Sequence, residues 1–153
     1  MRPLVVPKPD GPRALEALRR DFDDLESARL QADAAGRNMP LVWLNSPSNP
    51  TGRVASAAEL REIVEWSRAH DVLLVSDECY IDLGWEATPV SVLHPEVSGA
   101  DFTNVLAVHS LSKRSNLAGY RAGFVAGDAQ VLARLLEVRK HVGLMVSAPV
   151  QAA

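Results

Sequence analysis

Residues 41–47 read Leu-Val-Trp-Leu-Asn-Ser-Pro and residues 72–77 read Val-Leu-Leu-Val-Ser-Asp. Each is a short apolar run that stops at polar, turn-forming residues. Between them Ser56 stands three residues before Glu59. That spacing is a capping box, in which two side chains satisfy each other's backbone N–H groups at a helix start. Leu60, Ile63, Val64 and Ser67 then recur on one helical face, and Asp71 marks the exit. Residues 41–77 are therefore expected to form a strand, a helix and a second strand, joined by a right-handed crossover. Apolar runs without alternation suit strands buried on both faces, as in a parallel sheet.

Outward from this unit, Val105-Leu106-Ala107-Val108 is a third run, ending at His109-Ser110. A fourth strand is expected over Ala122–Ala126. Only a short loop separates it from the third, so it is expected to run antiparallel. A last helix is expected from Ala129 to His141. Asp128 would cap it, and Val131, Leu132, Leu135, Leu136 and Val138 would form its buried stripe. In the other direction, residues 1–40 contain no strand-like run. Leu15, Leu18, Phe22 and Leu25 stand at helical spacing, which predicts one or two surface helices ended by Gly36 and Pro40. The organisation expected is a partly helical N-terminal segment, 1–40, followed by an α/β layer domain, 41–153.

Composition bounds the function. The chain has 153 residues, 47% of them hydrophobic and 23% charged, with a net charge of -3. That balance allows a packed core and leaves no basic footprint for nucleic acid. No apolar run approaches the length of a membrane span or a signal segment. The single cysteine, Cys79, forms no internal disulfide, which suits a reducing compartment, and a cytoplasmic protein is expected. His70, His94, His109 and His141 are too scattered for a helical-turn metal clamp, so no metal site is expected.

Open α/β sheets bind ligands beyond the carboxyl ends of their strands. The unusual residues of this chain lie there. The loop after Leu44 reads Asn45-Ser46-Pro47-Ser48-Asn49-Pro50-Thr51-Gly52. Alone it is an ordinary turn with a possible cis X-Pro bond. The second runs Val75-Ser76-Asp77-Glu78-Cys79-Tyr80. A carboxylate at the end of a buried strand either caps the next turn or meets a cationic ligand group. The third is His109-Ser110-Leu111-Ser112-Lys113-Arg114, continuing to Gly119-Tyr120-Arg121-Ala122-Gly123-Phe124. Lysines are usually solvated surface residues. Here Ser110, Ser112 and Arg121 flank Lys113, and two hydroxyls with a guanidinium suit a phosphate. Gly119 and Gly123 are read as backbone bends. Trp43 and Trp66 are expected to pack, Cys79 to be a small packed side chain, and His109 to be a core residue or one beside the site's own residues, not a catalyst. Trp85 lies on a loop after Tyr80 from which it can reach a substrate.

Taken together, Asn-Pro-Thr-Gly, then Asp-x-x-Tyr, then Ser-x-Ser-Lys and Gly-Tyr-Arg resemble the class I/II aminotransferases of pyridoxal-phosphate (PLP) fold type I. The motif resemblance spans roughly residues 40–153. It implies part of the mostly parallel sheet with flanking helices of that family's large domain. It also implies that Lys113 carries the cofactor as a Schiff base and afterwards moves the substrate proton as base and acid. Asp77 would pair with the protonated pyridine nitrogen, keeping the ring an electron sink. Tyr80 and Asn49 would hydrogen-bond the phenolic oxygen. Ser110, Ser112 and Arg121 would hold the phosphate, Arg121 with two prongs.

Two longer stretches, 76–95 and 109–124, resemble the succinyldiaminopimelate aminotransferase branch. It moves an amino group between glutamate and N-succinyl-2-amino-6-oxopimelate in lysine and diaminopimelate biosynthesis. Against the family pattern, the residues that stack on the ring, complete the phosphate cradle and grip the substrate carboxylate are missing. The expectation is a piece of a longer, homodimeric protein acting on small amino acids and 2-oxo acids, inactive as a piece. The alternatives are an aspartate, aromatic or branched-chain aminotransferase, a PLP-dependent carbon–sulfur lyase, or a truncated non-catalytic domain. A nucleotide-binding domain is disfavoured, because no glycine-rich phosphate loop follows a strand.

Overall fold

The computed structural model describes residues 24–36, 41–143 and 145–152. Residues 24–34 are helical (α1) and end at Gly36, whose φ of 64° is the left-handed value that glycine adopts without penalty. Leu15, Leu18, Phe22 and Pro40 lie outside the described residues. There follow β1 (Leu41–Asn45), α2 (Ala57–Ala69), β2 (Leu73–Asp77), α3 (Pro95–Ser98), β3 (Val105–Ser110), α4 (Leu111–Arg114), β4 (Gly123–Gly127), α5 (Ala129–Val142) and α6 (Ala148–Ala152). Short 3-10 turns occupy Ile81–Leu83 and Ala118–Tyr120.

The sheet order is β1-β2-β3-β4. β1, β2 and β3 are parallel and β4 is antiparallel to β3, as the short connection requires. Each of the first three strands runs on past its apolar residues to a polar one. Asn45, Asp77 and Ser110 are thus strand-terminal residues held in register, not loop residues.

The capping box closes at the start of α2: Glu59 N–H donates to Ser56 Oγ at 3.3 Å, and Ser56 N–H to Glu59 Oε2 at 2.6 Å. Alternation along the strands turns Leu74, Val105 and Ala107 to one face. There they meet Leu60 and Val64 of α2, with Val92 and Val97 completing the core. Ser67 is fully buried in the same helix and donates to the Val72 carbonyl at 2.6 Å. Trp66 packs as expected, its ring tilted against His70 with centres 4.8 Å apart, and donates to Glu26 of α1 at 3.3 Å.

Expectations about burial fail on β1 and on α5. Trp43 is 54% exposed on β1. Burial on both faces holds for the central strands only, because α2 and α3 cover one face and the other is less completely covered. On α5, Val131 and Leu132 are half-buried, but Leu135, Leu136 and Val138 are exposed. α5 meets the sheet near its capped end and then runs past it.

Candidate active site

The carboxyl ends of β1, β2 and β3 gather most of the residues singled out above. Asn45 ties the first two ends together. Its Nδ2 donates to the Asp77 carbonyl at 3.0 Å, and its Oδ1 accepts from Asn49 N–H at 2.8 Å. Ser46 N–H reaches the same Asp77 carbonyl at 3.3 Å, and buried Ser46 Oγ accepts from Ala55 N–H at 2.9 Å. Sequence reasoning took Asn45 and Ser46 only as the end of a run. The signal available was an amide side chain at the last strand position, where it can bond backbone on both sides. Both X-Pro bonds in this loop, Ser46–Pro47 and Asn49–Pro50, are cis.

Asp77 is half-buried, and its Oδ1 accepts from Cys79 N–H at 3.2 Å. The turn this makes brings Tyr80 over Asn49, whose Nδ2 donates to the Tyr80 hydroxyl at 3.3 Å. Lys113 enters from β3 with Nζ 5.7 Å from the centre of the Tyr80 ring. Cys79 registers both charges. Burial pushes its thiol up to about 11, aided by the hydrogen bond and charge of Asp77, while Lys113 pulls the other way. Asp77 and Lys113 therefore share one neighbourhood.

Ser110 ends β3 and begins α4, with Oγ accepting from Ser112 N–H at 3.1 Å. The chain then folds back. Leu111 N–H donates to the Ala122 carbonyl at 3.1 Å, and Gly123 pairs with Ser110 across the sheet. Gly123 is where close approach demands glycine, since a Cβ there would meet the His109 carbonyl oxygen at 2.5 Å. Arg121 is left-handed at φ 52°, and its Nη1 donates to the Ala118 carbonyl at 3.0 Å. It is exposed, with its guanidinium on its own loop instead of on Ser110 or Ser112. Arg114 bonds Asp82 at 3.1 Å, holding α4 against the turn that follows Tyr80.

An open cleft of about 620 Å³ shares Asn49 and Tyr80 with this cluster and extends along Pro47–Val54 and Leu83–Ala87. Trp85, 96% exposed, lies on its rim. Asp77, Ser110 and Lys113 lie beside the cleft, outside its lining. Among the described residues no group of His, Cys, Asp and Glu is placed to hold a metal. None of the described helices is long and apolar enough to cross a membrane.

The donor set fits a flat, charged cofactor such as pyridoxal phosphate. A carboxylate stands at the end of a central strand, a phenol with an amide beside it, an amine next to the phenol, and hydroxyls with a guanidinium on the adjoining turn. Their spread suits a ring whose nitrogen, oxygen, aldehyde and phosphate point in different directions.

Comparison with known proteins agrees. The family profile described as aminotransferase class I and II matches residues 13–153. The match begins inside the N-terminal segment in which motif reading found no resemblance. A probable aminotransferase of Mycobacterium tuberculosis is 63% identical over 128 residues, covering 81% of this chain and 31% of its own length. A 4-dedimethylamino-4-oxo-anhydrotetracycline transaminase of Streptomyces rimosus is 63% identical over 113 residues, covering 74% of this chain and 32% of its own. Among solved structures, a probable N-succinyldiaminopimelate aminotransferase of Thermus thermophilus superposes with a TM-score of 0.67 at 37% identity. That alignment covers 72% of this chain and 29% of the other. The chain thus spans about a third of the length of the curated relatives it matches. It belongs to the class I and II aminotransferases, a family of pyridoxal-phosphate-dependent enzymes.

Proposed function

We propose that this chain supplies the cofactor-holding residues of a transaminase that exchanges an amino group between an amino acid and a 2-oxo acid. The observation that carries the reading is the meeting of Asn49, Tyr80 and Lys113 beside Asp77 at the ends of parallel strands. Pyridoxal phosphate, when bound, supplies an aldehyde for amine capture and a ring that withdraws electrons. Asp77 keeps a proton on the ring nitrogen by charge pairing. Tyr80 and Asn49 orient the ring oxygen. Ser110, Ser112 and Arg121 hold the phosphate, for which Arg121 must turn its guanidinium from the Ala118 carbonyl. Lys113 Nζ would anchor the cofactor, then take a proton from the substrate α-carbon as base and, as acid, deliver it to the cofactor carbon that carried the aldehyde.

The finer reading is an N-succinyl-2-amino-6-oxopimelate substrate with glutamate as donor. Stretches 76–95 and 109–124 and the likeness to the Thermus thermophilus protein support it. The second reading, another amino-acceptor class, is favoured by the 63% identity to a probable aminotransferase and to a 4-dedimethylamino-4-oxo-anhydrotetracycline transaminase, against 37% to the Thermus thermophilus protein. A panel of 2-oxo and semialdehyde acceptors offered to the full-length protein with glutamate separates them. We further propose a cytoplasmic homodimer for that protein.

The cofactor reading is tested by mixing the protein with pyridoxal phosphate, reducing with borohydride and mapping the adduct by mass spectrometry. This chain contains only three lysines, Lys8, Lys113 and Lys140. Adduct concentrated on Lys113, and lost when pyridoxal lacking the phosphate replaces it, supports the reading. Equal labelling of Lys140 and Lys113 overturns it.

A further inference from the structure

Behind the candidate site lies a polar pair, buried Glu78 and half-buried His109, to which the proposed function assigns no role. Glu78 follows Asp77, and strand pleating sends their side chains to opposite faces. Asp77 faces the site. Glu78 faces the core and is only 1% exposed. Its backbone N–H donates to the Val108 carbonyl at 2.9 Å, and its Oε1 accepts from Val92 N–H at 2.8 Å. Its Oε2 lies 3.0 Å from His109 Nε2. That approach is close but not in line, so Oε2 has no properly directed hydrogen bond. The imidazole is held flat against Phe124, with ring centres 4.8 Å apart and planes 9° from parallel.

The placement is what matters. Glu78 is one residue from Asp77, and His109 is one residue from Ser110. The pair therefore links the strand carrying the ring-nitrogen partner to the strand leading to the phosphate-side serine and Lys113. A carboxylate removed from water costs several kcal/mol unless compensated, and replacing such a pair by apolar residues is often neutral for stability. A purely structural need is thus met more simply by two apolar side chains.

We propose that Glu78 and His109 are positioning residues. From behind the sheet they fix the spacing between Asp77 and the Ser110–Lys113 segment, and so the fit of the cofactor between them. The proposal rests on the pyridoxal-phosphate reading of the site. Lys113 is exposed, and the β2–β3 ladder ends at Asp77 opposite Val108, so the Glu78–His109 approach is the next side-chain contact between the two strands on the way to Ser110. Phe124 stacking sets the ring plane, and Gly123 lets β4 approach closely enough for that stacking.

The test uses the full-length protein and four variants: Glu78→Gln, His109→Leu, His109→Gln and the double variant E78Q/H109L. E78Q keeps an acceptor for Val92 N–H and removes the charge. H109L alone strands the carboxylate and lowers resistance to urea. The double variant removes the stranded charge, and its urea midpoint is expected nearer the parent's than that of H109L. Pyridoxal-phosphate affinity and the absorbance band of the bound cofactor are then compared at matched stability. The double variant is expected to bind the cofactor roughly tenfold more weakly, with a displaced band, as coupled contacts of this kind do. H109Q, which keeps a polar side chain with an amide N–H able to reach Glu78, is expected to recover most of the affinity. Parent-like affinity and absorbance in a parent-stable E78Q/H109L protein would overturn the positioning role and leave the cofactor site standing. A parent that takes no cofactor on Lys113 would overturn the site and this proposal together.

Discussion

Lys113 Nζ stands 5.7 Å from the centre of the Tyr80 ring, whose hydroxyl accepts from Asn49 Nδ2 at 3.3 Å. An ammonium over a phenol face gains only about 0.5–1 kcal/mol at an exposed site. That contact does not explain a lysine held here, whereas anchoring a cofactor does. Lys113→Arg keeps the cation and the contact but cannot form the covalent link. It is expected to abolish the borohydride-fixed adduct while shifting urea stability by less than about 0.5 kcal/mol, as exposed substitutions usually do. A K113R protein that still gains the pyridoxyl mass removes Lys113 from this role.

The glycines of β4 differ in kind from Gly52 in the first loop. A Cβ at Gly123 would lie 2.5 Å from the His109 carbonyl oxygen, and one at Gly127 would lie 2.1 Å from that of Val105. Both clashes are with backbone that cannot step aside without moving β3. Gly123→Ala is expected to cost about 1–3 kcal/mol, as overpacking does, and to weaken cofactor retention because Ser110 is Gly123's partner in the sheet. Gly52 has φ 70° but open space around it, so Gly52→Ala carries only the left-handed strain of roughly 1–2 kcal/mol. Urea unfolding with a parallel cofactor titration distinguishes them. Equal loss of cofactor affinity in G52A and G123A would contradict the steric account.

Cys79 makes a pH prediction. Burial and the neighbouring Asp77 carboxylate raise its thiol from an ordinary 9.0 to about 11. The folded chain therefore keeps a proton that the unfolded chain loses earlier. Ionisation opposes folding as pH rises from about 9 through 11, and thiolate is scarce at neutrality. Alkylation of the native protein should climb with a midpoint near 11. Asp77→Asn removes one cause and should bring the midpoint down. A native midpoint near that of a free thiol would show that Asp77 and burial do not act on Cys79 as described.

The architecture was legible because its signals are local. The Ser56–Glu59 box, the three apolar runs and the Asp128 cap each depend on neighbours in the chain, and all three forms appear where the spacing puts them. The parallel order of β1, β2 and β3 and the reversal at β4 followed from connection lengths. Burial was less legible. Leu135, Leu136 and Val138 form an apolar stripe by periodicity, yet periodicity states which face is apolar and not what lies opposite. Cross-strand ties were hidden for a similar reason. Asn45 bonding Asp77 and Glu78 meeting His109 join residues 32 and 31 positions apart, and only register brings them together. The cofactor motifs were readable as a set because each sits at a strand's carboxyl end. How Arg121 is turned was not readable, since a guanidinium on an exposed loop has several carbonyls within reach.

Asp128 joins the far end of the sheet to α5, and its charge is measurable in stability. Its Oδ1 accepts from Gln130 N–H at 2.8 Å and Val131 N–H at 3.1 Å, and its Oδ2 from Asn104 N–H at 2.8 Å. The Asn104 bond, with the two helix amides, holds the carboxyl below its ordinary 3.8 against the opposing pull of burial. A depressed carboxylate contributes stability fully present above the unfolded value. That contribution is lost as pH falls through the lower folded one. Asp128→Ala loses the cap and strands the Asn104 amide, and should cost about 1–2 kcal/mol at pH 7. Asp128→Asn keeps one acceptor and should cost less. The gap between parent and D128N should stay constant from pH 7 down to about 4, then close as acid protonates the parent's carboxyl. Urea midpoints across that range give the curve. A gap that closes around pH 6 instead would assign it to a histidine and not to Asp128.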